Sequence, residues 1–67
     1  MIETADELIV GRTYKGTLTD CCIPVVQFQA KFMGHEAESG DLLFESDSTR
    51  ILAYEWNLPR GLKEVTE

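Results

Sequence analysis

Between Val26 and Phe32 the chain alternates apolar and polar residues without a break: Val26, Phe28, Ala30 and Phe32 take every second place, and Gln27, Gln29 and Lys31 fill the gaps. Successive side chains of an extended strand point to opposite faces, so this spacing predicts one dry face and one wet face. The strand is expected over 25–33, with the four apolar residues lining the core. Helical spacing also gathers Val25, Phe28 and Phe32, and Pro24 with Gly40 would bracket a helix at 24–39 lying on a small antiparallel sheet. Three features favour the strand: the β-branched pair Val25 and Val26, the strict alternation, and Gly34 standing where a helix would continue.

The remaining apolar runs are short and read as partners for this strand. Thr4 and Glu7 stand three apart ahead of Leu8, Ile9 and Val10, the spacing of a capping box that would open a short helical turn. The alternative is that Leu8–Val10 already begin a strand. Gly11 breaks the run, and the β-branched and aromatic residues around Gly16 predict a strand over 12–19. Gly16 inside that strand predicts a bulge or sharp bend, a device that lets a short sheet curl. A turn is expected over 20–24, with Pro24 at a strand entry. The polar segment 34–41 reads as a loop, 42–45 as a short strand, and 46–49 as a turn. A second clear strand is expected over 50–56, with Leu52, Tyr54 and Trp56 on one face and Ile51, Ala53 and Glu55 on the other. The segment 57–61 carries turn signals, Pro59 ending the strand and Gly61 suited to positive φ. Leu62 and Val65 then cover an edge, and the tail is a short closing strand or a frayed end.

About five short strands with tight turns make a mainly β domain over 1–67, and a sheet this small manages its edges by curling or by pairing with another copy. The expected fold is a small SH3-like or Sm-like five-stranded partly open barrel with a short N-terminal helical turn. The segment from Gly11 to Leu18, with Gly16 between, resembles the strand that opens the Sm motif, in which two glycines and a leucine have this spacing. The resemblance implies an RNA-binding barrel. The aspartate, apolar and asparagine positions that bind RNA in that family have no counterpart in Asp20–Pro24. No arginine–glycine pair sits at the family's distance after the 50–56 strand.

Charge narrows the function classes. Twelve acidic residues stand against six basic ones, a net charge of -6, which repels phosphate backbones and anionic membranes unless the few cations cluster. No apolar run approaches the ~20 residues of a membrane-spanning helix, and the first residues lack the pattern of a secretion signal, so a soluble cytoplasmic protein is expected. The adjacent Cys21 and Cys22 face opposite ways on an extended chain and are expected to stay reduced.

No catalytic set is apparent. His35, Glu36, Glu38 and Asp41 share one loop, but their spacing matches no calcium loop, and adjacent cysteines do not match structural zinc sites. Serines 39, 46 and 48 sit in turns, where local hydrogen bonding accounts for them. No enzyme, no metal and no cofactor are expected.

The leading expectation is a non-enzymatic protein-interaction module that uses a sheet edge and an aromatic patch, with an acidic surface steering a basic protein partner, or pairing copies into a homo-oligomer. Tyr14, Tyr54, Trp56 and Arg60 are its candidate binding residues, of the types that carry interface energy, and Tyr14 and Trp56 are expected to be partly exposed. An alternative is an acidic nucleic-acid mimic, of phage or plasmid type, that inhibits a DNA- or RNA-binding enzyme and is built on Asp6, Glu7, Glu36, Glu38, Asp41, Glu45 and Asp47. A third reading, direct RNA binding, requires Arg12, Lys15, Lys31 and Arg50 to converge.

Overall fold

The computed structural model describes residues 2–18 and 26–65. The expected 20–24 turn, Pro24 as a strand entry, and Cys21 with Cys22 lie outside the described residues. A 3-10 turn at Ala5–Glu7 precedes five strands, β1 Thr13–Leu18, β2 Val26–His35, β3 Leu42–Glu45, β4 Arg50–Ala53 and β5 Arg60–Glu64. They form one antiparallel sheet in the order β4-β3-β2-β1-β5. The fold is therefore mainly β. The helix at 24–39 is excluded over the described part of that span, because residues 26–35 are strand, paired with β1 over 26–31 and with β3 over 31–35.

β2 keeps the predicted alternation at its centre. Phe28, Ala30 and Phe32 are buried, and Gln27, Gln29 and Lys31 face solvent. Val26 departs from the expectation and is exposed, since it pairs with Leu18 at the outer end of the β1–β2 ladder, beyond the packed centre. The strand also runs two residues past Met33. Gly34 does not end it but absorbs a bulge, with φ +99° where the pairing slips from Phe32 opposite Phe44 to Gly34 opposite Leu43.

No helix among the described residues covers this sheet, so its buried face packs on itself. Tyr14, Phe28, Phe32, Phe44, Ile51 and Leu62, drawn from all five strands, belong to one buried cluster that Leu8 also joins. Phe44 lies at its centre, with ring centroids 5.3 Å from Phe32, 5.6 Å from Phe28 and 6.4 Å from Tyr14. Two bulges interrupt the ladders, one on β2 and one on β5, where Gly61 is the extra residue opposite Lys15–Thr17. The bulge expected at Gly16 therefore falls on the neighbouring strand, and Gly16 itself pairs regularly with Phe28. Curling stops short of closure: no ladder joins β4 to β5 among the described residues. Among the described residues the structure is therefore an open five-stranded antiparallel sheet.

The N-terminal turn forms as the capping box predicts. The Glu7 carboxylate accepts the backbone N–H of Thr4 at 2.9 Å and of Glu3 at 2.8 Å. Leu8 then enters the core, and Ile9 and Val10 stay exposed rather than beginning a strand. Near the other end, β4 is shorter than expected. It stops at Ala53 because the Asn57 N–H returns to the Tyr54 carbonyl at 3.2 Å and turns the chain. β5 begins at Arg60, so the tail forms a closing strand beside β1.

Candidate functional site

The early end of β4 decides which side chains are available for contact. Ile51 and Ala53 point inward, which leaves Leu52 and Tyr54 on the outer face, both about half exposed. Leu43, opposite Leu52 on β3, extends this apolar row. In the turn that follows, the Trp56 ring stacks on Tyr54 with centroids 4.7 Å apart and planes 14° from parallel. Trp56 is 79% exposed, so the stack holds its ring in place without covering it. Beside it, the Glu55 carboxylate meets Nε2 of His35 at 2.8 Å, which ties the turn to the end of β2.

The two edges of the sheet differ. β5 is partly guarded: the Ile2 N–H donates to the Leu62 carbonyl at 2.8 Å, and a bulge interrupts its ladder. β4 carries neither a bulge nor a proline, and no strand lies along its outer side among the described residues. A strand at a sheet edge presents N–H and C=O groups with which another strand can pair.

Tyr14 requires a correction as a binding residue. It is fully buried, and its hydroxyl accepts the Ile9 N–H at 2.9 Å, so it fastens the N-terminal segment to the core instead of meeting a partner. A tyrosine followed by alternating polar residues reads equally well as an exposed ring from sequence, and only the ladder with β2 assigns it inward, opposite Ala30. Arg60 is exposed but opens β5, where it faces Thr17 on the β1 side of the sheet. Tyr54 and Trp56 are brought together, and Tyr14 is not part of their patch.

The acidic residues divide among separate turns. Asp6 and Glu7 belong to the N-terminal turn, Glu36, Glu38 and Asp41 to the β2–β3 connection, and Glu45 and Asp47 to the β3–β4 hairpin. Glu36 organises its own loop, accepting the N–H of Ser39 at 2.8 Å and of Glu38 at 3.0 Å. These bonds hold its carboxyl below the ordinary glutamate range, with the Arg50 guanidinium adding to the effect. Glu7 is lowered by the N–H groups of Thr4 and Glu3. Among the described residues no three His, Cys, Asp or Glu side chains gather as a metal site requires.

Of the cations in the direct RNA reading, Arg12 pairs with Glu64 at 3.2 Å and Arg50 lies 3.8 Å from Glu36, whereas Lys15 and Lys31 face solvent from neighbouring strands. No helix among the described residues is long and apolar enough to cross a membrane. Comparison with protein-family models, with curated proteins and with solved structures finds no match to this chain.

Proposed function

We propose that this protein is a non-enzymatic interaction module that accepts an extended segment of a partner protein along the outer edge of β4, with Tyr54 and Trp56 clamping it. The observation that carries the reading is the stacked, exposed Trp56 at the exit of an unguarded edge strand. Strand addition draws affinity from main-chain hydrogen bonds and specificity from alternate side chains. Large aromatic rings supply contact area at low cost in conformational entropy, and Trp and Tyr dominate measured interface energies. The neighbouring carboxylates Glu36, Glu45, Asp47 and Glu55 favour a basic segment, steering its approach. A second copy of this chain is the special case in which β4 pairs with β4.

The strand order supports a finer fold reading. Four strands in a meander, with the fifth returning beside the first, is a connectivity used by SH3-like partly open barrels, an analogy of fold that assigns no partner.

The test is selection of random peptides on the immobilised chain. The reading expects enrichment of β-forming sequences bearing Lys or Arg, and loss of binding when alternate backbone amides are N-methylated. Enrichment of acidic or helical peptides, or indifference to N-methylation, contradicts it.

A further inference from the structure

The solvent face of β5, β1 and β2 is made of ladder rows. Lys63, Lys15 and Gln29 stand opposite one another in one row, Arg60, Thr17 and Gln27 in a second, and Thr13 and Lys31 in a third. Directly opposed residues of an antiparallel pair share a face, so Lys15, Lys31, Arg60 and Lys63 are presented together. Arg60 joins them through the bulge. Three steps of β5, from Lys63 to Arg60, run against two of β1, from Lys15 to Thr17, and Gly61 takes φ +66° at the extra position. In an unbroken ladder Gly61 would stand opposite Thr17, and Arg60 would turn toward the core.

Four of the six lysines and arginines thus stand on the part of this face formed by β5, β1 and β2. None of the four makes an ion pair among the described residues, although the chain has twice as many acids as bases. Lys15, Thr17, Gln27 and Arg60, with Gly16, Phe28 and Gly61, line a groove of about 280 Å³. Glu45, opposite Lys31 on β3, interrupts the row before Arg50 on β4, which lies 3.8 Å from Glu36.

We propose that this face binds the phosphodiester backbone of a single-stranded nucleic acid. From the Arg60 row to the Lys31 row the track covers four residues of strand, about 14 Å, and two strand spacings, about 10 Å, a diagonal of about 17 Å. A lone phosphate occupies a fraction of that length, whereas consecutive phosphates of one strand follow it. The cations neutralise the backbone, and Gln27 and Gln29, with amides that both donate and accept, lie within the same face. The track is narrow and bordered by Glu45 and Asp47, so a duplex would bring its second strand over carboxylates. The overall negative charge does not oppose this locally, because charges beyond ~8–10 Å are screened at physiological salt. The site is separate from the β4 edge, so each reading stands or fails alone.

Fluorescence anisotropy of a short labelled oligouridylate with the full chain tests it. Neutralising three phosphates of a single strand gives a log–log salt slope near -2, so affinity should fall about 20-fold between about 50 and 200 mM salt. Lys15→Ala, Arg60→Ala and Lys63→Ala should each flatten the slope by about 0.7 and weaken oligouridylate and oligoadenylate alike. These side chains are exposed, so thermal melting serves as the folding control. Trp56→Ala should leave oligonucleotide binding unchanged. The proposal is overturned by no anisotropy change at the lowest salt, by undiminished binding in the triple alanine variant, or by dependence on Trp56. Equal affinity for polyglutamate assigns the face to an acidic protein segment instead, and tighter binding of a duplex excludes the single strand.

Discussion

Gly16 lies so close to Pro59 that a Cβ added to it would stand 3.1 Å from the proline Cβ, with Leu62 Cδ1 at 3.3 Å and Phe28 Cε1 at 3.4 Å. The close approach lets the segment before β5 seat on β1, and it explains a glycine whose φ is not positive. Gly16→Ala gains ~0.4–1 kcal/mol from the unfolded chain but crowds a proline ring and the fully buried Leu62, a strain of ~1–3 kcal/mol. Net destabilisation is expected, read as a lower urea midpoint with an unchanged m-value. An unchanged or raised midpoint would show that Pro59 can move aside.

Tyr14 holds the N-terminal segment through one hydrogen bond, its hydroxyl accepting the Ile9 N–H at 2.9 Å. Tyr14→Phe keeps the ring packing and removes only that acceptor. The expected cost is ~0.5–1.5 kcal/mol, with faster amide exchange at Ile9. Equal exchange in both proteins would contradict the tether.

The inward face of β2 sets a sharp contrast between neighbours. Phe28→Ala should cost ~3–5 kcal/mol, comparable with the whole stability of a small domain, because its ring packs on Phe44. Gln29→Ala should stay within ~0.5 kcal/mol, since Gln29 faces solvent. Circular dichroism melts of the two variants check this, and tolerance of Phe28→Ala would overturn the assignment of the core.

Glu7 and Glu36 both titrate below the ordinary glutamate value of 4.5 because backbone N–H groups favour their charged forms. A folded pKa below the unfolded one contributes stability that is complete above the unfolded value and is lost as pH falls through the folded value. The melting temperature should therefore be flat on this account above about pH 5.5 and decline below pH 4.5. Glu7→Gln with Glu36→Gln should lower stability at neutral pH and flatten the acid decline. A decline as steep as in the parent chain would assign it to other carboxylates.

The strands were legible where periodicity alone decides orientation. The alternation from Phe28 to Phe32, the short run Leu42–Glu45 and the capping box of Thr4 and Glu7 appear in the structure as their spacing implies. Gly16 reads from sequence as a bulge or bend, yet the extra residue is Gly61 on β5. Gly16 is instead a packing contact, and no pattern along the chain reveals that Pro59 meets it. Tyr14 and the face of β4 were undecidable from sequence: Leu52 and Tyr54 are larger than Ile51 and Ala53, yet the smaller pair faces the core. Size favours burial only where volume permits, and three phenylalanines with Tyr14 already fill the interior. The basic face was not legible for a related reason. Lys15, Lys31, Arg60 and Lys63 lie far apart in sequence, and the ladder and the Gly61 bulge bring them into register.

The most direct test of the β4 reading uses Trp56 itself, the one tryptophan of the chain and an exposed one. Its fluorescence should be followed while a basic β-forming peptide selected on the chain is titrated in. The account predicts a blue-shifted emission that saturates with binding, and a loss of affinity of ~2 kcal/mol or more in Trp56→Ala, whose melting temperature stays that of the parent. An emission maximum that does not move at saturation, together with undiminished affinity in Trp56→Ala, would contradict it.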